Sequence, residues 1–591
     1  MANSDTSPLL RWIFFASFVG ALAIIFIKAV IVSLQLHGNF AVLDNDSIMR
    51  LLSVQNWLGG QGWFDTVEYR LMPPEGVLMH WSRYIDAIIG GLIVAFSWVF
   101  PVGIAKTLAL TVWPTILAVL MVTVIGFGTK RFFGPVAASF AMPCVILWPF
   151  TSDFYFQAGS IDHHNVQILM IVLITFAIIW PDRPTASGLV AGVCAAFALA
   201  IGLETLPYIL VVGTLLLTRA HLNMSPNANR LLAVFCVMLG AASLVFWLGQ
   251  PPVSRLTETV CDQLGLSVLG LIAIAAVASI VPMFVLPQNA LGRIAMSILL
   301  TGAGSALAWP LLGPCLAGPY GSLPVEVQDI IRSGIVEAQP GIVYAKGNPL
   351  NYIRMVAPVV GSIVLAAYFW RQLSKDSATE RRQRDVIGQL LILSAVGVLA
   401  SFSQIRLLLM TAAAVPVLVG LVLAILVENY LRTRSAAVAT GLLAAAVLLL
   451  SPAVLKAPIK QLLPFDPPST SPLDVTCSTN DALSPLNALA PAVFLTPMNL
   501  GPALILTTHH SSLSGPYHRS PDAFANGDIP FKLPEAEMQT YVEKTSATYL
   551  LLCGGTTYRV GFARDLVDGA QAAWLKPVEI DAGDLMVFEI N

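Results

Sequence analysis

A chain of 591 residues that is 56% hydrophobic and only 11% charged, with a mean hydropathy of +0.76, cannot fold as one water-soluble globule. A net charge of −2 and the lack of a basic run exclude the electrostatic footprint expected for a nucleic-acid partner. The composition instead implies a polytopic α-helical membrane protein, in which the few charges mark loops and sites.

In chain order, the apolar stretch Trp12–Leu34 is too long for the core of a signal peptide and lacks a small-residue cleavage site before the polar loop. It therefore reads as a retained first helix. The loop that follows, residues 41–89, carries Asp44, Asp46, Asp65, Glu68, Glu75, His80, Arg83 and Asp86. Carboxylates clustered beside a membrane bind a metal or a cationic group, or do acid/base work. The simpler reading is a solvated loop with a few helix caps.

Arg219, His221 and Arg230 flank one later loop, Arg371, Lys375, Arg381, Arg382 and Arg384 crowd another, and Arg432 and Arg434 mark a third. The positive-inside rule places all three in the cytoplasm. Residues 37–83, 151–163, 250–263, 313–351 and everything after about 457 then lie outside. Helices of about twenty residues give about thirteen crossings. After residue 163 they fall near 164–181, 186–203, 205–218, 231–249, 264–286, 292–312, 352–370, 386–402, 405–427 and 435–456. Three apolar stretches, 84–101, 105–127 and 133–150, precede residue 151, where an even number of crossings is required and Lys130 and Arg131 prefer the cytoplasm. One of them is expected to be interfacial or re-entrant.

The second polar element, QAGSIDHHNVQI at 157–168, sets Asp162, His163 and His164 in a row at a helix mouth, and carboxylate and imidazole are both good ligands for a divalent ion. Glu204, between the next two helices, is a weaker candidate that a wet turn would also explain. In the outer loop at 324–351, Ile330, Ile331, Ile335 and Val336 form a short amphipathic patch suited to the membrane surface, and Glu337 follows it. In SFSQIRLLLM, Arg406 stands at the outer mouth of an apolar helix. Snorkelling accounts for it, and so does a lipid phosphate, since the guanidinium fork matches two phosphate oxygens and keeps its charge.

From about Phe465 the chain is less apolar and rich in Pro, Ser and Thr, a linker into a small domain. Ala503–Thr507, Tyr549–Cys553 and Met586–Ile590 read as strands and Glu535–Lys544 as a helix, which makes an α/β fold. The two domains are thus 1–456, helical and membrane-spanning, and 457–591, outside. Cys477 and Cys553, the pair within the outer domain, suit a disulfide in an oxidising compartment. Cys261 and Cys315 also fall in outer regions. His510, Tyr517, His518 and Arg519 make two dense polar clusters that suit acceptor binding or a plain surface loop.

Asp46-Ser47, Arg50, Trp57-Leu58, Pro74-Glu75-Gly76 and Trp81, in that order, resemble the first outer loop of the oligosaccharyltransferase catalytic subunit, especially its archaeal forms. Gly159-Ser160-Ile161-Asp162-His163-His164 resembles that family's second acidic motif. Gly334-Ile335-Val336-Glu337 resembles its flexible-loop motif, and Ser403-Gln404-Ile405-Arg406 the segment whose Arg meets the donor's phosphate. The resemblance covers roughly residues 10–456. It implies a GT-C type membrane glycosyltransferase that takes a sugar from a polyprenyl-phosphate or polyprenyl-diphosphate donor. In that picture Asp46, Asp162 and His164 ligate Mn2+ or Mg2+, with Asp44 as the alternative in the first motif. Arg406 holds the phosphate, Asp46 and Glu337 serve catalysis, and His163, His80 and Arg83 are further candidates.

One part departs from the family. The Trp-Trp-Asp-Tyr-Gly motif that reads an Asn-x-Ser/Thr acceptor is here Thr496-Pro497-Met498-Asn499-Leu500-Gly501, and only the Gly survives. The acceptor is then a lipid, a glycan or a different polypeptide side chain. The rival function is a transporter or flippase of lipid-linked sugars, which would place ionisable residues near mid-helix. A degenerate enzyme that only binds a glycolipid is disfavoured by the intact acidic motifs. The expected location is a bacterial inner membrane, with the C-terminal domain in the periplasm.

Overall fold

The first apolar stretch forms the 29-residue helix Pro8–Leu36 in the computed structural model. The structure describes residues 7–450 and 476–591, apart from 37, 180–181, 253–254, 256–259, 319, 322, 374–376 and 556–557. Among the described residues, ten helices are long and apolar enough to cross a membrane, and His164–Ile178 and Ala436–Leu450 are shorter apolar helices beside them. One of the ten, Val102–Leu147, is two helices joined at Gly134, whose φ of 84° lies in the region that favours glycine. With that helix counted as two, the apolar rods number thirteen, as expected for a multi-pass membrane protein. The expected domain boundary near residue 457 lies outside the described residues.

The break at Gly134 resolves the odd count. Lys130 and Arg131 sit just before it, and Arg131 and Arg382 both reach Asp182 at 3.2 Å, so cationic turns gather at one end of the bundle. Of the three stretches, the first is the one that does not form an apolar rod: it becomes Arg83–Ser97, which carries Arg83 and Asp86 in its first turn.

At the other end, the polar loops meet the C-terminal domain. A hairpin, β1 (Val67–Glu68) and β2 (Val77–Leu78), stiffens the first loop. The domain is a five-stranded sheet of β3 (Val493–Leu495), β4 (Ser511–Ser512), β5 (Tyr549–Cys553), β6 (Leu575–Val578) and β7 (Leu585–Ile590), in the order β4-β3-β5-β7-β6. β4, β3 and β5 are parallel, and β7 runs antiparallel to β5 and β6. The first loop extends the sheet beyond β4. Ser512 N donates to Arg70 O at 2.9 Å and Met72 N to Ser512 O at 2.8 Å, which satisfies an edge that would otherwise stay open. Met49, Leu52, Leu71 and Trp81 of that loop bury against Ile505 and Tyr517 of the domain.

Two expectations change here. Ala503–Thr507 is not a strand but part of the helix Leu500–Thr507. Leu500, Ala503, Leu504 and Ile505 are all buried, and a short apolar run buried all round carries no periodicity to separate strand from helix. Most of the amphipathic patch at 330–336 is not left for the membrane surface, although Val336 stays exposed. The helix Val325–Gly334 packs Val327, Ile330 and Ile331 with Ala338 against Met498 and Phe524 of the C-terminal domain.

The Cys477–Cys553 disulfide is present, and a second joins Cys261 to Cys315 across two outer regions. Cys477–Cys553 spans 76 residues, and both cysteines are buried in the domain core. Cys553→Ser should lower the domain's stability by about 2–5 kcal/mol. Thermal unfolding of the purified protein checks this, and an unshifted midpoint would count against a structural role for the bond.

Candidate active site

Asp46 lies in the first turn of the helix Asn45–Leu58, which Asp44 caps by accepting from Ser47 N at 2.9 Å. Ser47 Oγ accepts from Ile161 N at 3.1 Å and so fastens the second motif against this turn. Gly159, at φ +92°, allows the chain to bend there, where a Cβ would collide with Leu43. Arg50 is four residues beyond Asp46 and on the same helix face. It is buried, with Nη1 donating to Asp86 at 2.9 Å and Nη2 3.5 Å from Asp162.

Asp162 Oδ1 is 2.6 Å from His163 Nδ1, and His163 Nε2 is 3.4 Å from Glu204. Burial opposes a charge on His163, but Asp162 and Glu204 outweigh it and hold its pKa up at about 10. Glu204 is held well below the usual carboxylate range: burial opposes this, and the charge of His163 overcomes it. Gln167 Nε2 also donates to Glu204, at 2.9 Å, so Glu204 is a partner of the motif and more than a wet turn. His164 Nδ1 is 3.1 Å from Gln167 Oε1, so in a neutral ring that nitrogen carries the proton. The lone pair is then on Nε2, which lies 3.4 Å from Asp162 Oδ2 and 4.0 Å from Glu337 Oε2.

Among the described residues no hydrogen bond or ion pair reaches Asp46. Its burial and the charges of Asp162, Asp44 and Glu337 push its carboxyl well above the usual range. A half-buried carboxylate with no hydrogen-bonded or ion-paired partner, beside an oriented imidazole and a free carboxylate oxygen, suits a divalent cation. Asp162, His163 and His164 offer ligand atoms within 4.8 Å of one another. Both nitrogens of His163 are taken by carboxylates, so the open set is Asp162, His164 and Asp46, the last of which stands outside that triplet.

Glu337 lies in the turn Val336–Ala338, and the carbonyl of Gln339 accepts from Ile405 N at 2.8 Å, which brings Arg406 to the same space. Arg406 donates through Nε to Gln404 at 3.0 Å and through Nη2 to Tyr320 Oη at 3.0 Å. Burial works against its charge, but Tyr320, Glu204 and Glu337 more than offset this and raise its pKa. The Glu337 side chain is 40% exposed. The surface it exposes lies along two cavities. One, of about 380 Å³, is lined by His80, His163, Glu204, Tyr320, Arg406 and His518 among others. The other, of about 770 Å³, is lined by Asp44, Asn45, Asp153, Asp162 and Asn499 among others. Asp46, His164 and Glu337 line both.

The remaining candidates divide. Arg83 braces the first loop, donating to Ser53 O at 2.8 Å, Gln61 Oε1 at 2.8 Å and Asp65 O at 2.6 Å, and it lines neither cavity. His510 also lines neither. Its Nδ1 accepts from Ala492 N at 3.2 Å, its Nε2 is 2.8 Å from Leu486 O, and it packs within the domain. Tyr517 and His518 line the smaller cavity with Arg406, not the larger one, and Tyr517 donates to Asn45 O at 2.8 Å. His80 lines the smaller cavity, where burial and then the neighbouring His518 push its pKa well below the usual value.

Sequence reading overlooked Tyr320 and Asp262; the one signal for Asp262 was its place beside Cys261 in an outer region. Asp262 accepts from Arg519 Nε at 2.8 Å and Nη2 at 2.7 Å, and lies 2.8 Å from His518 Nε2, tying the C-terminal domain to the loop at 260–263. Burial would raise the pKa of Asp262, but His518 and Arg519 prevail and hold it far below the usual range. A depressed folded-state pKa means that the stabilisation is present above the unfolded value of about 3.9 and is lost as pH falls below it. Asp262→Asn should cost about 3 kcal/mol at neutral pH and flatten the acid limb of stability against pH. Thermal unfolding between pH 3 and pH 7 checks both.

No protein-family model matches the sequence, and no curated protein matches it. Among solved structures, the fold matches the archaeal oligosaccharyltransferase AglB from Archaeoglobus fulgidus in complex with an inhibitory peptide and a dolichol-phosphate. The TM-score is 0.63 at 14% identity, over 93% of this chain and 70% of that one. The Archaeoglobus fulgidus oligosaccharyltransferase tethered to an acceptor peptide containing the NVT sequon matches with a TM-score of 0.55 at 15% identity, over 92% of this chain and 70% of that one. Its complex with Zn and sulfate matches with a TM-score of 0.53 at 15% identity, over 87% of this chain and 64% of that one. The chain therefore shares the fold of the Archaeoglobus fulgidus oligosaccharyltransferase, a polytopic helical membrane part with a C-terminal sheet-containing domain.

Proposed function

We propose that this chain is a metal-dependent glycosyltransferase that moves a sugar or oligosaccharide from a polyprenyl-phosphate or polyprenyl-diphosphate donor to an acceptor outside a bacterial inner membrane. Residues 1–456 are the catalytic domain, and residues 457–591 a periplasmic one. The observation that carries this reading is the shared wall: two cavities, one with a fixed cation, meet at Asp46, His164 and Glu337. A two-substrate transfer needs such a wall, because the reacting atoms must come within about 3–3.5 Å of each other.

Arg406 holds the donor phosphate with its fork, positioned by Gln404 and Tyr320. His80, neutral beside them, offers a ring nitrogen without a partner, Nδ1. Asp46, Asp162 and His164 hold Mn2+ or Mg2+; carboxylates suit both ions, and the imidazole favours Mn2+. Bound there, the ion supplies positive charge that offsets the charge on the leaving phosphate. Asp44 keeps the Asn45–Leu58 helix in place through its cap and is the reserve ligand. Glu337, reaching both cavities, orients the acceptor and takes its proton. The fold of the Archaeoglobus enzyme, whose complex contains a dolichol-phosphate, supports the lipid-linked donor. The flippase reading has less support, because the ionisable groups of the two cavities sit at helix ends and in loops.

Membranes containing the protein and radiolabelled polyprenyl-linked donors should release labelled sugar with Mn2+ or Mg2+ and stop when the ion is chelated. If well-folded protein consumes no donor while labelled lipid crosses the bilayer, the transporter reading replaces this one.

A further inference from the structure

We propose that the larger cavity takes a neutral, polyhydroxylated acceptor, a glycan, and that the paired amides of Asn45 and Asn499 hold it. This rests on the transferase reading above and names the acceptor class of the same site.

The first observation is charge. Asp44, Asp46, Asp153, Asp162 and Glu337 line this cavity, and among the described residues no Lys or Arg does. Lys28 and Arg354 come near but are drawn to Asp153, at 3.2 and 3.9 Å. A divalent ion on Asp46 and Asp162 would still leave Asp44 and Glu337 facing the occupant, with Asp153 matched by Lys28 and Arg354. A phosphorylated or carboxylated acceptor would enter against like charge, with no fixed cation to receive it.

The second observation is a set of polar atoms without partners. Asn165, 1% exposed, donates through Nδ2 to Ser160 O at 2.9 Å, and its Oδ1 has no partner. Ser478 Oγ, in a residue 8% exposed, has none either, and both residues line the cavity. Asn45 Nδ2 donates to Asn499 Oδ1 at 2.9 Å, which leaves Asn45 Oδ1 and Asn499 Nδ2 without a partner among the described residues. The wall therefore offers acceptors, a donor and a hydroxyl that is both. An ionised phosphate only accepts and an ammonium only donates, whereas hydroxyls do both. These groups come from three separate parts of the chain: the helix Asn45–Leu58, the helix His164–Ile178 and the C-terminal domain. A ligand with hydroxyls around its ring meets them from several sides. Phe154, 40% exposed in the same cavity, adds an aromatic surface for the apolar face of a sugar.

In the transfer, the acceptor hydroxyl oxygen bonds to the anomeric carbon of the donor sugar as the bond from that carbon to the phosphate oxygen breaks. The polyprenyl phosphate leaves with the electron pair beside Arg406, and the hydroxyl proton passes to the Glu337 carboxylate.

The test uses the purified full chain in detergent with Mn2+ and a pool of radiolabelled polyprenyl-linked donors. It is offered a mixture of neutral oligosaccharides, the same mixture chemically phosphorylated, or an Asn-Val-Thr peptide. Label should pass to the neutral mixture at least tenfold faster than to either alternative. Asn499→Ala should raise the KM for neutral oligosaccharides about tenfold, the loss of one hydrogen bond, and Asn499→Lys should shift preference toward the phosphorylated mixture. Binding of undecaprenyl phosphate, which reads the other cavity, separates a lost acceptor contact from a misfolded variant. Faster transfer to the phosphorylated mixture or to the peptide, or an unchanged KM in Asn499→Ala, overturns this acceptor class and leaves the transferase reading standing. If no donor is consumed in the presence of any of the three, the transferase reading itself is overturned.

Discussion

Asp162→Asn should lower donor turnover about 10³-fold, the scale seen when a preorganised electrostatic group is removed from an active site. The substitution keeps the shape of the side chain and removes its charge. Asp162 Oδ1 lies between His163 at 2.6 Å and Arg50 at 3.5 Å, while Oδ2 faces His164 Nε2 at 3.4 Å. The variant therefore loses a counter-charge for two cations and one side of the proposed metal set at once. Arg50 keeps Asp86 at 2.9 Å, so the fold should survive and the loss should fall on turnover and on the Mn2+ concentration needed for half-maximal rate. Single-turnover assays across a Mn2+ titration measure both. Asp528→Asn, in the C-terminal domain and lining neither cavity, is the control. A variant at Asp162 that turns over as fast as this control would remove the residue from the mechanism.

Arg406→Lys should cost about 10²-fold in donor use, although the charge is kept. The guanidinium is held by two neighbours, Gln404 and Tyr320, each at 3.0 Å. Lysine has neither the planar fork nor the reach to satisfy both partners and a phosphate together. Binding of undecaprenyl phosphate and the KM for donor should both deteriorate, while the acceptor KM stays near its starting value. Arg83→Lys makes the contrast. Its four partners are all internal to the first loop and the helix Arg83–Ser97, so it should lower the unfolding temperature without a selective effect on donor binding. Equal donor affinity in Arg406→Lys and the parent would refute the phosphate role.

Most of the helical framework and the approximate addresses of the proposed site were legible along the chain. Apolar runs long enough to span a membrane declare themselves, because the cost of burying polar groups in lipid acts on each segment separately. Asp162, His164 and Arg406 stood out as ionisable residues at the mouths of apolar helices, whereas Asp46 and Glu337 were singled out from their loops by the family resemblance alone. The disulfide of Cys477 and Cys553 was likewise the natural pairing within one domain.

What the linear pattern left open was which distant groups would satisfy one another. His163 and Glu204 form a pair only because two helix mouths meet, and Arg83 proved a brace because Gln61, Asp65 and Asp86 fold around it. Asp262 gave little signal until the C-terminal domain brought His518 and Arg519 to it. The run at Ala503–Thr507 became a helix and Ile330 and Ile331 an internal contact, since each buries its apolar face against a partner remote in sequence. Hydropathy, span length and helix caps are local quantities and can be read from neighbours in the chain. Electrostatic pairing, cavity lining and the choice of buried face depend on three-dimensional neighbours, and only the tertiary structure supplied them.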